Sequence, residues 1–277
     1  MIGVEILKLL RRPRTWVAIA MLNALPTLVA ILVSVTEVGP APGTGPPFLS
    51  AVLTDATLFP LAALAIVLPL FLPIAVAVVA GEAIAGEAQT GTLRYLLVRP
   101  VGRAHLILAK LVTVVVFVLL TVVIVAGVGY VVGQIFLGQG PAPPPAVTSV
   151  ASSSVSGTAL TGAEVAQRTA LALGYVTLSM LGVAALALLL STMTDSAIAA
   201  ALGAVGFLIA STVLLGLDAA QAWHPWLPTR HWLAFVDLFR DPILWDDVVR
   251  GVQLQLGYFV VFALAAWANF ATKDITS

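Results

Sequence analysis

Residues 81–110 read GEAIAGEAQTGTLRYLLVRPVGRAHLILAK and lie between two apolar runs, each long enough to cross a bilayer. This is the only long run with charges at regular intervals, at Glu82, Glu87, Arg94, Arg99, Arg103 and Lys110. A charge at the bilayer centre costs roughly 2.5–3.5 kcal/mol even on the lenient insertion scale. The stretch therefore predicts a surface loop with structure of its own between two membrane spans.

A short amphipathic helix is predicted within this loop. Leu93, Leu96 and Leu97 recur at i, i+3 and i+4 and so share one helical face, while Arg94 points elsewhere. Pro100 ends the helix because the residue before a proline disfavours the helical conformation. A helix of this kind across the mouth of a membrane bundle is suited to docking on a soluble partner.

The loop resembles the corresponding loop of ABC-type-2 transporter permeases. In that family a glutamate is followed by Gly-Thr-Leu, two leucines, Arg-Pro-Val, a further arginine and a Gly/Ala-Lys, and the same order and spacing recur over residues 86–110. The resemblance implies that this segment is a coupling helix that contacts an ATPase subunit. The residues assigned to that contact are Glu87, Gly91, Thr92, Leu93, Arg94, Leu96, Leu97, Arg99, Pro100, Val101 and Arg103.

Composition places the whole chain in a membrane. Of 277 residues, 60% are hydrophobic and only 9% are charged, whereas soluble domains carry about 25% charged residues. The formal net charge is zero, which argues against nucleic acid as a partner. Without cysteine the chain has no disulfide framework, no cysteine-based zinc site and no thiol nucleophile.

We predict an all-α integral membrane protein with a single transmembrane domain over residues 1–277. Its six spans are predicted at about 15–35, 56–80, 106–137, 169–190, 196–217 and 251–271. Pro60, Pro69 and Pro73 predict a kinked second span, because membrane helices tolerate proline when neighbours satisfy the freed carbonyls. The segments 36–50 and 138–167 are rich in Pro, Gly, Ser or Thr and predict loops.

Residues 1–12 predict an interfacial helix that lies along the membrane. One face carries Ile2, Ile6, Leu9 and Leu10 and the other carries Glu5, Lys8 and Arg12. Pro13 ends this helix. A cleaved signal peptide is the alternative, but the following apolar run exceeds the usual length of roughly 7–15 residues and no convincing small-x-small cleavage site follows.

Residues 218–250 predict a re-entrant or interfacial hairpin before the sixth span, because they are too polar to cross the membrane and too aromatic to lie in water. The ABC-type-2 family also has a re-entrant helical pair at this place, and the stretch Leu227–Pro242 resembles it. The residues assigned to the hairpin are Trp223, Trp226, Trp232, Phe235, Asp237 and Phe239.

Local signals predict helix starts and helix contacts. Asp195 or Ser196 is predicted to cap the fifth span, and Asp246 or Asp247 the sixth. Small residues four apart allow helix backbones to approach closely. Such pairs are Gly129/Gly133, Ala197/Ala201, Ala199/Gly203 and Ala200/Ala204.

Six spans place both termini on one side of the membrane. That side carries Lys8, Arg11, Arg12, Arg14, Arg94, Arg99, Arg103, Lys110 and Lys273, and the other side carries Arg168, Arg230, Arg240 and Arg250. The excess of basic residues predicts that the termini and the coupling loop are cytoplasmic. The expected location is the plasma (inner) membrane.

Motifs for catalysis are absent from the sequence. It contains no GxxxxGK[ST], no HExxH and no GxSxG elbow with a credible acid and base, and its three histidines lie in different loops. We therefore expect no enzyme activity, no metal and no cofactor in this chain, with ATP and Mg²⁺ on the partner ATPase. The near absence of ionisable residues within the spans disfavours a secondary carrier built on buried carboxylates.

Two interpretations stay open for the charges of the loop. Glu87 either orients the coupling helix or its ATPase contact, or it lies at headgroup level and pairs with Arg94 or Arg103. The same alternatives hold for Glu82. Arg99 and Arg103 are either partner contacts or ordinary cytoplasmic anchors.

The resemblance implies the transmembrane subunit of an ABC exporter, in which two permease subunits, usually identical, work with two ATPase chains. The short loops and the lack of a large external domain favour an amphipathic or lipid-like cargo. The alternatives are a six-span membrane scaffold or immunity protein that transports nothing, and a secondary carrier. Membrane lipid is a partner in each case.

Overall fold

The computed structural model describes residues 2–36, 56–91, 103–138 and 152–272. Most of these residues are helical. The helices are α1 (Ile2–Arg11), α2 (Pro13–Thr36), α3 (Phe59–Val67), α4 (Phe71–Gly81), α5 (Ala85–Gln89), α6 (Arg103–Phe136), α7 (Gly162–Met193), α8 (Ala197–Leu215) and α9 (Trp245–Thr272). Two 3₁₀ helices, Asp218–Trp226 and Trp232–Phe239, lie between α8 and α9, and a two-residue ladder pairs β1 (Ser152–Ser153) with β2 (Ala159–Leu160).

Within the described ranges, five helices are long and apolar enough to cross a membrane, namely α2, α6, α7, α8 and α9. The pair α3 and α4 passes the same test jointly, which gives six spans if the pair is counted as one. The prediction of a multi-pass helical membrane protein is confirmed at this level. The predicted interfacial segment is also helical over Ile2–Arg11, and α2 begins at Pro13.

The second span is broken rather than smoothly kinked. Helices α3 and α4 meet at an angle of 60° across a break of three residues that contains Pro69. Pro60 lies in the first turn of α3, and Pro73 lies in the first turn of α4. A first-turn proline costs little because its missing N–H would have no helical partner there.

Two predicted boundaries are wrong. Helix α7 begins at Gly162, inside the predicted loop 138–167, because Thr161 and Glu164 form a reciprocal capping box. Helix α9 begins at Trp245, so Asp246 and Asp247 lie in its first turn instead of capping it. The predicted cap of α8 is correct, since Ser196 Oγ accepts a hydrogen bond from the Ala199 amide at 3.3 Å.

Small residues bring helix backbones together at two contacts. A Cβ added at Gly133 of α6 would lie 2.7 Å from the Ala56 carbonyl oxygen, and one added at Gly81 of α4 would lie 3.0 Å from the Ala201 amide nitrogen of α8. The predicted contact faces are confirmed for Gly129/Gly133, Ala197/Ala201 and Ala200/Ala204, whereas Ala199/Gly203 is exposed.

Candidate coupling site at the ends of the loop

The structure describes both ends of the predicted coupling loop. Helix α5 and Thr90–Gly91 lead into the loop, and Gly91 has a φ of 69°, a left-handed conformation that favours glycine. Helix α6 leaves the loop at Arg103. Outside the described residues lie Thr92, Leu93, Arg94, Leu96, Leu97, Arg99, Pro100 and Val101, together with the side chain of Arg103.

The two ends of the loop are joined by four charged side chains, which we call the buried charge cluster: Glu5, Lys8, Glu87 and Lys110. Lys110 Nζ donates to Glu5 Oε2 at 2.7 Å and also to Glu87 Oε1. Lys8 Nζ donates to the same oxygen of Glu87 at 2.8 Å. Relative exposure is 3% for Lys110, 5% for Glu87 and 9% for Glu5, so three of the four residues are buried.

Each member of the cluster comes from an element next to the loop or packed against it. Glu87 lies on α5 before the loop, Lys110 lies in the second turn of α6 after the loop, and Glu5 and Lys8 lie on α1. Helix α1 turns Glu5 and Leu9 inward together. The cluster therefore fastens the N-terminal helix to both ends of the loop.

Opposing effects set the pKa of Glu87. Burial alone raises the pKa of the carboxyl group, but the charges of Lys110 and Lys8 and their hydrogen bonds lower it, and the net pKa lies below the ordinary value of 4.5. Glu87 is therefore ionised at neutral pH. Removing a partner from such a buried pair costs about 3–5 kcal/mol, because it leaves an uncompensated buried charge.

A second group of charges lies nearer to the surface. Glu82, in the turn between α4 and α5, is 3.3 Å from Arg14 Nη1 and 3.9 Å from Arg12 Nη1. These pairs are partly or largely exposed to solvent, and exposed ion pairs contribute about 0–1 kcal/mol. Glu82 therefore adds much less to the loop anchor than Glu87 does.

Ser191 of α7 fixes the turn that leads to α5. Its hydroxyl donates to the Gly81 carbonyl at 2.7 Å and accepts from the amides of Ile84 at 3.1 Å and Ala85 at 2.8 Å. The side chain is fully buried. One hydroxyl from a distant helix thus bonds to a backbone carbonyl at the end of α4 and to two backbone amides at the start of α5. Backbone groups at helix ends have no partner within their own helix.

The sequence did not predict the ion pairs of Glu87 with Lys8 and Lys110, or the contacts of Ser191. The pairing of Glu87 with Arg94 or Arg103 stays a prediction, because the side chains of both arginines lie outside the described residues. The signal that the sequence offered was the pair of charges Glu5 and Lys8 on the polar face of α1, which could pair with charges of the loop.

The aromatic hairpin divides into two unlike arms. In the first 3₁₀ helix, Trp223 is 66% exposed and Trp226 is 68% exposed, as expected of residues at headgroup level. In the second, Trp232, Phe235 and Phe239 are buried in the core, so these three side chains pack against other helices. Asp237 pairs with Arg240 at 2.8 Å.

The hairpin is fastened to its neighbours by side chains from two spans. Tyr175 of α7 donates to the His231 carbonyl at 2.6 Å. From α9, Gln255 donates to the Pro228 carbonyl at 2.7 Å and Tyr258 to the Trp226 carbonyl at 2.6 Å. In the part of the chain that the structure describes, no group of three or more His, Cys, Asp or Glu residues could hold a metal ion.

These features define a multi-pass helical membrane protein with a buried charge cluster at the ends of one loop. The chain belongs to the family described as "Protein of unknown function (DUF2705)", whose model matches residues 27–276. No curated protein matches the sequence.

Proposed function

We propose that the chain is the transmembrane permease subunit of an ATP-driven ABC transporter of the ABC-type-2 kind. A separate ATPase subunit would dock on residues 86–103 and supply ATP hydrolysis, and the cargo would be an amphipathic or lipid-like small molecule moved outward. The assembly would hold two permease subunits and two ATPase chains. Both termini would be cytoplasmic at the plasma membrane.

The buried charge cluster is the observation that carries this proposal. Glu87 and Lys110 lie on either side of the loop in sequence, 23 residues apart, and their side chains meet in a buried ion pair. Lys110 and Glu87 are also bound to α1 through Glu5 and Lys8. A force applied to the loop would therefore move α5, α6 and α1 together, as a coupling element requires.

Contacts beyond the cluster connect α5 to helices of the membrane spans. The turn at residues 82–84 is held by Ser191 of α7. Just before it, Gly81 of α4 packs against the backbone of α8 at Ala197 and Ala201. Displacement of α5 would thus act on α4, α7 and α8, three helices whose relative packing could alternate between two arrangements.

The positions of the buried charges favour an external energy source over a secondary carrier. Carriers place ionisable groups near the bilayer midplane. Here Glu5 and Glu87 lie outside the spans, and Lys110 is seven residues from the start of α6, a rise of about 10 Å along a helix. The cluster thus lies near the end of α6 that is connected to the loop, and not near the middle of the span.

Co-purification tests the proposal against a membrane scaffold or immunity protein. The tagged full chain is isolated from its native membrane and the associated proteins are identified. We expect an ATPase subunit in the complex, and ATP hydrolysis by that complex. Leu96→Asp with Leu97→Asp should abolish the association, because two charges would be forced into an apolar contact.

The matched control is Leu96→Met with Leu97→Met, which keeps the side chains apolar and close in volume. This variant should retain the ATPase. If the aspartate variant assembles fully and hydrolyses ATP at the wild-type rate, the coupling assignment is wrong. If the wild-type chain carries no ATPase, the transporter proposal itself fails.

A further inference from the structure

A cavity of about 630 Å³ lies between the aromatic hairpin and α9. Arg230 of the hairpin and Arg250 of α9 line its polar end, and the walls are formed by residues such as Trp226, Tyr258 and Phe262. The cavity is far from the buried charge cluster, because the opposite end of α9 packs against Ile84 and Leu106 beside the loop. The proposed coupling mechanism makes no use of it.

The polar end carries two cationic side chains. Among the described residues, the guanidinium groups of Arg230 and Arg250 form no ion pair or hydrogen bond. His231 lies beside them, and burial lowers its pKa below 6.5 against the opposing charge of Asp247, while both arginines lower it further. Near neutral pH the two arginines therefore supply the positive charge.

Two acidic residues, Asp246 and Asp247, precede Arg250 by one helical turn. Asp247 Oδ1 is 3.8 Å from His231 Nδ1, and this aspartate is exposed. In the described part of the chain, neither aspartate lines the cavity or forms an ion pair with either arginine. The cavity thus presents two cations to a ligand and no carboxylate.

The apolar wall runs down one face of α9. Below Arg250 and Gln253, its residues recur at helical spacing and are Leu254, Gly257, Tyr258, Val261 and Phe262. From Arg250 to Phe262 the helix rises about 18 Å, and half of the hydrocarbon core measures about 15 Å. The groove is therefore as long as the acyl region of one leaflet.

Gly257 keeps the middle of this groove open. A Cβ added there would meet no atom within 4 Å. Val261 and Leu264 of the same helix are exposed on its outer surface, where a membrane helix contacts lipid. A ligand that enters the groove from the side would come from the bilayer itself.

We propose that this groove binds one anionic phospholipid of the surrounding bilayer, with its phosphate between Arg230 and Arg250 and an acyl chain along α9 as far as Phe262. The two arginines favour a negatively charged headgroup, and the length of the apolar wall favours a ligand that carries an acyl chain. The site goes beyond the proposed transport function, because it requires neither an ATPase nor a cargo.

Native mass spectrometry of the purified full chain in mild detergent tests this site with phosphatidylglycerol and phosphatidylcholine. The wild type should bind phosphatidylglycerol more tightly. Each basic residue near an anionic lipid contributes about fivefold in affinity, so Arg230→Gln with Arg250→Gln should weaken phosphatidylglycerol binding about 25-fold. Arg230→Lys with Arg250→Lys should retain most of the preference, and Arg168→Gln, at an arginine outside the cavity, should leave it unchanged.

A second variant tests the apolar wall. Gly257→Leu should weaken binding of both lipids, because the added side chain occupies the groove. Gly127→Leu on α6 is the matched control, since a Cβ there also meets nothing within 4 Å and the residue does not line the cavity. Millimolar inorganic phosphate should not displace phosphatidylglycerol.

Three results would overturn the inference. The first is equal phosphatidylglycerol binding by the wild type and the arginine-to-glutamine variant. The second is full displacement by inorganic phosphate, which would leave the acyl chain without a role. The third is a Gly257→Leu variant that keeps its lipid but loses a dimer, which would make the groove an interface between two copies.

Discussion

Charged side chains occur in two very different settings at the two ends of this molecule. In the buried charge cluster, Lys110 is enclosed and bonded to Glu5 and Glu87. In the α9 groove, Arg230 and Arg250 are exposed and make no ion pair among the described residues. The first arrangement fixes three elements relative to one another, and the second leaves two cations free to bind a ligand. Pairing, rather than charge itself, separates a structural anchor from a binding site.

The largest effect is expected from Lys110→Met, which removes the cation shared by two buried carboxylates. The variant should lose about 3–5 kcal/mol of unfolding free energy, because Glu5 loses its ion-pair partner in a buried site. Thermal unfolding in detergent measures the loss.

Lys8→Met is the control for this variant, since the Lys8 side chain is 41% exposed. It should cost about 1 kcal/mol or less. Equal unfolding temperatures for the two variants would show that the cluster does not anchor the loop.

Much of the architecture behind this cluster follows from the sequence. Long apolar runs predicted the spans, three prolines predicted a bend in the second span, and Ser196 was one of two predicted caps of α8. These features depend on a few consecutive residues. The capping box at Thr161 was equally local, because a threonine followed three residues later by glutamate is its signature, yet the Ser- and Thr-rich composition around it suggested only a loop.

The contacts that define the site could not be predicted in the same way. Glu87 meets Lys8 across 79 positions and Lys110 across 23, and Ser191 meets Ala85 across 106. No spacing rule links residues so distant, because helix packing alone decides which side chains meet. Aromatic composition likewise gave Trp223 and Trp232 the same interfacial assignment, although only Trp223 is exposed.

A smaller effect is expected from Ser191→Ala, which withdraws the hydroxyl from the turn before α5. The amides of Ile84 and Ala85 would lose an acceptor in a buried site, at a cost of about 2 kcal/mol. Ser179→Ala is the matched control, because that buried hydroxyl only donates to the Tyr175 carbonyl of its own helix. Equal stability of the two variants would show that Ser191 does not hold the turn before α5, and so does not link the loop to α7.

Acid should weaken the buried charge cluster, because it protonates Glu87. The folded-state pKa of Glu87 lies below its ordinary value of 4.5, so its stabilising contribution is fully present above that pH and is lost as the pH falls through the lower folded value. The unfolding temperature of the wild type should therefore drop on acidification below pH 4.5. Glu87→Gln should lower stability at neutral pH and flatten this dependence, whereas an unchanged slope would contradict the role of Glu87.

The smallest effect on stability is expected from Arg230→Gln with Arg250→Gln. Since neither guanidinium has a partner in the described structure, their removal in lipid-free detergent should change the unfolding free energy by no more than about 0.5 kcal/mol. Addition of phosphatidylglycerol should then raise the unfolding temperature of the wild type and not that of the variant, because a ligand stabilises only the state that binds it. A large loss of stability without lipid would show that these arginines stabilise the fold, as Lys110 does. The proposed difference between the buried charge cluster and the α9 groove would then be wrong.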